Sequence, residues 1–280
     1  MRDLPTEDIT RAVRDLCIRA ATELPQEVLD ALDRAIAEEE SPLAVEVLQQ
    51  LKANAALARQ TGLPLCQDTG MAVIFAELGQ DCHVVGVDFN QAIHEGVRRG
   101  YREGFLRPSI VEGPLRRVNT GDNTPAVIHL QLVPGDRLKL TVIAKGFGCE
   151  NMSALRMLTP ADGVAGIRRV VVETVEQAGG NPCPPLVVGV GVGGTFDHCA
   201  YLAKRAVFRP LGSAHPDPRT AALERELLQA INALGIGPQA MGGRTTALAV
   251  HIETHPGHIA SLPVAVNLQC HSHRYQEAVL

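Results

Sequence analysis

Seven cysteines are the residues best suited to chemistry in this 280-residue chain: Cys17, Cys66, Cys82, Cys149, Cys183, Cys199 and Cys270. The count is odd, and the sequence opens "MRDLPTEDIT", which is acidic and lacks an apolar leader. Reduced thiols in a cytoplasmic protein are therefore expected, which leaves metal binding and simple burial as the two readings. Three of the seven share a setting. Cys66 stands between Leu63-Pro64-Leu65 and the turn-forming Gln67-Asp68-Thr69-Gly70, Cys183 lies in "NPCPP", and Cys270 closes the alternating run "LPVAVNLQC". Each marks a place where a regular element gives way to a loop, the kind of junction at which scaffolds present ligands. The three are far apart in sequence, unlike a compact metal knuckle. Leu262, Val264, Val266 and Leu268 also share the side of the strand that Cys270 occupies. Spacing alone leaves a shared metal site and ordinary core positions both open. The tail "CHSH" offers too few well-spaced ligands for a closed tetrahedral zinc site.

Two other motifs invite a chemical reading. Beside Cys66, Gln67 carries an amide that donates to carboxylates, and Asp68 carries a carboxylate able to orient or exchange a proton with a hydroxyl; the same residues also suit a plain turn. Gly189, Gly191 and Gly194 fit G-x-G-x-x-G after an apolar run, the pattern of a dinucleotide-binding oxidoreductase. That fold also needs a second strand ending in an acidic residue some way on, and "FRPLGSAHPDPR" does not read as one. Close packing of a buried strand accounts for these glycines better.

The elements that must position these residues begin with helices. Ile9, Val13, Leu16, Cys17, Ala20 and Leu24 recur at helical spacing, and Ser41-Pro42 opens another helix that stops near Gly62. Together they predict a helical N-terminal segment over about residues 1–62. Beyond it "MAVIFAEL" and "CHVVGV" read as strands and "NQAIHEGVRRGYREG" as a helix. "AVIHLQLVPGDRLKLTVIAKG" reads as two strands joined in a hairpin-like turn at Pro134-Gly135-Asp136. Helices are expected over about 161–177 and 220–234, with the doubly buried strand "LVVGVGVGG" between them and the alternating strands "TALAVHIET" and "LPVAVNLQC" after them. The fold class is a mixed α/β to α+β body behind a helical lead-in, read as one domain over 1–280.

Composition narrows the partners. Hydrophobic residues make up 45% of the chain, enough for a sizeable core, and no apolar run approaches the ~18 residues of a membrane span. The net charge is −5, aromatics are 3%, and the basic residues occur as scattered pairs, so no phosphate-tracking stripe or stacking platform is present. Neither nucleic acid nor membrane is an expected partner.

The segments "CQDTG", "LRPSIV", "NTGDNTPAVIH", "KGFGCENMSAL", "NPCPPLVVGVGVGGTF", "GIGPQAMGGRTTALAVHIETHPGH" and "LPVAVNLQC" follow one another in this order. Taken together they resemble the α subunit of two-subunit class I fumarases across nearly the whole chain. The related L(+)-tartrate dehydratase α subunits share the "CQDTG" and "CPP" elements, while "DTGMAVIF" and "TGDNTPA" look closer to the fumarase branch. The resemblance implies an Fe-S hydro-lyase that interconverts fumarate and L-malate, with tartrate as the alternative substrate. It implies that Cys66, Cys183 and Cys270 hold a [4Fe-4S] cluster, three thiolates leaving one iron open as a Lewis acid.

By the same resemblance Gln67, Asp68, Arg107, Gly148 and His258 bind the dicarboxylate substrate, and Asp68 takes part in catalysis. Arg107 would supply a planar fork for a carboxylate, and Gly148 a backbone that a ligand can approach closely. Taken alone, Arg107 reads as a surface arginine and His258 as one of several loop histidines. Cys149 is a departure, because many class I fumarases carry serine there, and it is left out of the ligand set. Single-chain class I fumarases are considerably longer, and their second half supplies further substrate arginines, a lysine and the proposed base. After Cys270 only "HSHRYQEAVL" follows here, so a separate β subunit is expected to complete the enzyme. A metal-stabilised scaffold without catalysis is the remaining rival.

Overall fold

The computed structural model describes all 280 residues. In chain order the elements are β1 (Arg2–Pro5), α1 (Thr6–Thr22), α2 (Gln26–Glu38), α3 (Pro42–Thr61), β2 (Met71–Gly79), β3 (Cys82–Val85), α4 (Phe89–Glu103), β4 (Val127–Val133), β5 (Leu138–Lys145), α5 (Phe147–Glu150), β6 (Ala154–Leu158), α6 (Gly163–Ala178), β7 (Leu186–Gly193), α7 (Phe196–Ala206), α8 (Pro218–Asn232), β8 (Ala247–His255), β9 (Leu262–Gln269) and β10 (Tyr275–Val279). The mixed α/β class and the helical lead-in are as expected. The short strands β1, β6 and β10 and the helix α7 were not anticipated. No helix is long and apolar enough to cross a membrane.

Two compact units divide the chain. The first comprises Met1–Pro25, Asn54–Phe147 and Arg274–Leu280, and the second comprises Gln26–Ala53 and Gly148–His273. In the first unit β1 pairs with β3, and a four-stranded sheet runs β10-β5-β2-β4. Ile9, Val13, Leu16 and Cys17 of α1 meet Ile93 and Val97 of α4 over the sheet residues Ile74, Leu140 and Val142, in one core. Gly96 and Gly100 let the two helices approach closely, since a Cβ at Gly96 would lie 2.7 Å from the Thr10 carbonyl oxygen and one at Gly100 2.9 Å from that of Arg14. Asp88 caps α4 by accepting the Gln91 N–H at 3.0 Å.

The expected hairpin at Pro134-Gly135-Asp136 does not form. β2 lies between β4 and β5, parallel to the first and antiparallel to the second. A turn signal fixes that the chain reverses, not that the flanking strands become neighbours. Here the end of β2 takes up the turn's own backbone groups: Gly79 N–H donates to Arg137 O (2.8 Å), Gln80 N–H to Val133 O (2.9 Å) and Asp81 N–H to Gly135 O (2.9 Å).

In the second unit the sheet order is β6-β9-β7-β8, with β7 parallel to β8 and antiparallel to β9. β7 is buried from Leu186 to Gly191, as its continuous apolar run predicts. Gly189 and Gly191 stand inside this strand, not in a turn after it. A Cβ at Gly189 would run into the Ala203 carbonyl oxygen, and one at Gly191 into that of Cys199, so both glycines exist to seat α7 against β7. The dinucleotide fingerprint therefore fails on geometry, with two of its glycines serving helix–strand packing.

Candidate functional site

In the first unit the segment Cys66–Gly70 runs from α3 into β2 as an irregular turn tied down at many points. The Leu65 N–H donates to Ala21 O (2.9 Å), and Asn54 Nδ2 donates to Leu65 O (2.9 Å). Gly70 has φ 75°, and a Cβ there would lie 2.6 Å from Lys145 O, so glycine is required on both counts. The Tyr101 hydroxyl donates to Thr69 O at 2.9 Å and reaches Gly70 O at 3.0 Å. Burial pushes that phenol's pKa upward and keeps it a donor. Asn123, wholly buried, donates from Nδ2 to Gly70 O (3.2 Å) and accepts the Ser109 N–H on Oδ1 (2.7 Å).

The same turn fixes Arg107. The Thr69 hydroxyl donates to Arg107 O (3.1 Å) and accepts the Arg107 N–H (3.0 Å), so the arginine backbone is clasped to the residue after Asp68. Its side chain is exposed and makes no hydrogen bond or ion pair, which leaves the whole guanidinium fork for a ligand. Gln67 is likewise exposed. Asp68 is half-buried: Oδ1 accepts Gly70 N–H (3.0 Å) and Oδ2 accepts Phe147 N–H (3.0 Å). Two backbone donors orient the carboxylate and leave lone pairs for a substrate hydroxyl.

Behind the turn stands Arg274, only 1% exposed, whose Nη1 donates to Asp68 O (2.8 Å). Its Nε finds no partner, and it forms no salt bridge. A buried guanidinium without a carboxylate is unusual, since removing a charge from water is strongly unfavourable unless it is compensated. Sequence reading missed Arg274, Asn123, Tyr101 and Thr69 as site residues. Only Asn123 and Thr69 lay inside segments that drew attention, and Arg274 read as a tail residue.

The second unit carries the other two cysteines. Cys183 is exposed and holds φ 56°, a left-handed conformation that costs a non-glycine residue roughly 1–2 kcal/mol. A reverse turn sets it, with Cys183 N–H donating to Gly180 O at 3.0 Å. Pro184 then binds Gln239 through its carbonyl (2.9 Å to the backbone N–H and 2.6 Å to Nε2). Cys270 follows the end of β9, and the register Val187↔Gln269 sets it beside the start of β7. The His271 N–H donates to Cys183 O (3.3 Å), so this corner of the sheet brings Cys183 and Cys270 together. Gly148 is exposed, and a Cβ there would lie 3.3 Å from Asn181 O.

His258 is elsewhere. It lies in the exposed loop from β8 to β9, whose Gly257 comes within 3.4 Å of the Gly194 N–H when given a Cβ. That is the far end of β7 from Cys183 and Cys270, on the order of 20 Å away along eight strand residues. The structure does not bring His258 to the cysteine corner of its unit.

The remaining thiols are of a different kind. Cys17, Cys149 and Cys199 are buried, and burial pushes the Cys17 and Cys199 thiols up to about 12 and about 11, which keeps them protonated. Cys149 faces the core of its unit, 3.7 Å from Gln269 Oε1. Cys82 sits on the edge strand β3, its thiol also shifted upward by desolvation. Cys66, Cys183 and Cys270 are the three in loops at element ends that retain exposure, a donor set suited to a soft metal centre. No group of three or more His, Cys, Asp and Glu side chains is arranged to hold a metal ion: Cys66 belongs to one unit, and Cys183 and Cys270 to the other.

The family model for fumarate hydratase (Fumerase) matches residues 10–279. The chain belongs to this family, the iron–sulfur hydro-lyase α subunits. Among its relatives, a Methanocaldococcus jannaschii protein provisionally named L(+)-tartrate dehydratase subunit alpha is 42% identical over 272 residues, covering 95% of each chain. The L(+)-tartrate dehydratase α subunits of Escherichia coli and Shigella sonnei are each 32% identical over 270 residues, covering 95% of this chain and 88% of theirs.

Proposed function

We propose that this chain is the α subunit of an iron–sulfur dehydratase that removes water from L(+)-tartrate, working with a separate β subunit. The observation that carries this reading is the 42% and 32% identity, over nearly full length, to proteins named as tartrate dehydratase α subunits. It reverses the order of substrates expected from the sequence, where fumarate and L-malate came first. That pair remains the second reading, favoured by the description of the matching family.

Cys66, Cys183 and Cys270 would hold a [4Fe-4S] cluster, whose contribution when bound is Lewis acidity toward a substrate hydroxyl. The Arg107 guanidinium, free of protein partners, takes one substrate carboxylate bidentately, and Gln67 donates its amide to the same diacid. Asp68, aimed by its two backbone donors, accepts a hydrogen bond from a substrate hydroxyl and fixes which hydroxyl leaves. Gly148 lets main chain approach the ligand. Dehydration removes a proton from one carbon and hydroxide from its neighbour, so tartrate yields water and the enol of oxaloacetate. Tartrate carries one hydroxyl more than malate, and a polar group that accepts from it would separate the two diacids; Asp68, in the "CQDTG" element common to both branches, serves the hydroxyl that the two share. The base that takes the carbon-bound proton is assigned to the β subunit.

Steady-state assays of the αβ complex with L(+)-tartrate and L-malate test the reading. A higher kcat/KM for tartrate is expected; a higher value for malate would restore the fumarase reading. The purified α chain alone is expected to show no turnover with either diacid.

A further inference from the structure

Three successive carbonyls of the Cys66–Gly70 turn are held by side chains, and one of the holders carries a charge. The Tyr101 hydroxyl donates to Thr69 O and reaches Gly70 O, and the Asn123 amide donates to Gly70 O, so neutral groups suffice for this work. Asp68 O is instead held by Nη1 of Arg274 at 2.8 Å. Arg274 is 1% exposed, so its charge has left water almost entirely. That transfer is strongly unfavourable unless an opposite charge stands near, whereas an amide or a phenol could make the same hydrogen bond without it. The charge therefore needs a reason beyond the hydrogen bond.

The carboxylate of the turn does not supply it. Both oxygens of Asp68 accept backbone N–H groups, those of Gly70 and Phe147, and neither forms an ion pair with Arg274. Gly146 stands between the two groups: a Cβ there would lie 3.3 Å from Arg274 Nη2 and 3.4 Å from Asp68 Oδ2. The Arg274 Nε has no partner at all. Asn123 brings no charge, and neither does Tyr101, whose phenol burial keeps protonated. What lies close to the guanidinium is the segment that begins at Cys66. Cα atoms two residues apart are separated by at most about 7.6 Å, and screening is weak where water is excluded, so the field of Arg274 reaches the thiol side of the turn.

We propose that Arg274 is the counter-charge of the iron–sulfur centre: its guanidinium offsets the negative charge that the thiolates bring, favours retention of iron and raises the reduction potential. This rests on the reading that Cys66, Cys183 and Cys270 hold a [4Fe-4S] cluster. Three thiolates bind a [4Fe-4S]2+ core with negative charge left over, and a one-electron reduction adds more, so a buried cation at the turn favours the bound centre and favours its reduced form further. The same pairing removes the anomaly of Arg274, a buried charge with no carboxylate. Arg274 is thus a positioning residue for Asp68 through its hydrogen bond and an electrostatic partner of the centre through its charge, and the two roles can be separated by substitution.

The test is a potentiometric titration of the anaerobically purified full-length chain with dithionite, which passes one electron to each cluster, followed by electron paramagnetic resonance. Arg274→Gln keeps an N–H for Asp68 O and loses the charge, whereas Arg274→Lys keeps the charge and loses the planar fork. In Arg274→Gln the midpoint should fall by about 59 mV, a tenfold change in the one-electron equilibrium, and iron should pass faster to a ferrous chelator. Arg274→Lys should stay close to the unmodified chain in both. Should Arg274→Gln not accumulate, Arg274→Met carries the same expectation, and melting of the iron-free chains near the unmodified midpoint shows that the fold is intact. An unchanged midpoint in cluster-loaded Arg274→Gln, or an equal fall in Arg274→Lys, would overturn this inference and leave the cluster reading standing. A chain that takes up no iron and sulfide in any form would overturn the cluster reading and the role of Arg274 with it.

Discussion

The two places that hold the candidate residues are built by opposite means. In the first unit the Cys66–Gly70 turn is held by side chains reaching main-chain carbonyls: Tyr101, Asn123 and Arg274 all end on Asp68, Thr69 or Gly70. In the second unit Cys183 and Cys270 are set mainly by backbone, through strand register, a left-handed residue and N–H to carbonyl bonds, with Gln239 Nε2 on Pro184 O as a side-chain tie. A turn held by side chains depends on each of its partners. A corner held by backbone tolerates side-chain change but not crowding.

The largest expected effect follows from that contrast. Gly191→Val places side-chain atoms against the Cys199 carbonyl and must displace α7 from β7, so the second unit should lose about 3 kcal/mol or more, measured by chemical denaturation. A loss near zero would break the backbone half of the comparison. His251 sharpens that half, because it is a polar side chain buried within β8. Burial first, and the nearby Arg209 cation second, lower its pKa to about 4 from 6.5, so it is neutral in the fold. The unfolded chain binds the additional proton as pH falls below 6.5. Stability is therefore full above that value and drains towards pH 4, by up to about 3 kcal/mol. Stability measured against pH should show this slope, and His251→Leu should flatten it.

On the side-chain half, Asn123→Ala empties a wholly buried position, leaves the Ser109 N–H without its acceptor and removes one donor to Gly70 O, with an expected loss of about 2 kcal/mol. The smallest effect on stability is expected at Arg274→Met. It deletes one hydrogen bond to Asp68 O but also a buried charge without a salt bridge, two terms that nearly cancel, within about 1 kcal/mol. Turnover of the αβ complex should still fall, because Asp68 loses its support. Unchanged turnover would confine Arg274 to a packing role.

What could be read from the sequence divides along the same line. Periodicity located α1, α3, α4, α6 and α8, and the apolar run of β7, because one buried face or two leaves a local trace. Cys66, Cys183 and Cys270 could be singled out by their junction settings, and exposure now separates them from Cys17, Cys149 and Cys199. The position of β2 between β4 and β5 could not be read, since sheet order depends on pairing between distant segments. Nor could Arg274 and Tyr101, whose work on the turn arises only when β10 and α4 fold beside it. The far placement of His258 was hidden for the same reason, because twelve residues before Cys270 is a short step in sequence but a whole strand in space.

The central claim is that three particular thiols out of seven hold iron. Its most direct measurement is the iron and acid-labile sulfide content of the anaerobically purified chain, unmodified and with single cysteine replacements. The account predicts about four irons and four sulfides per chain, lost in Cys66→Ser, Cys183→Ser and Cys270→Ser and kept in Cys82→Ser and Cys149→Ser. Zinc or no metal in the unmodified chain, or a cluster that survives Cys183→Ser, would contradict it.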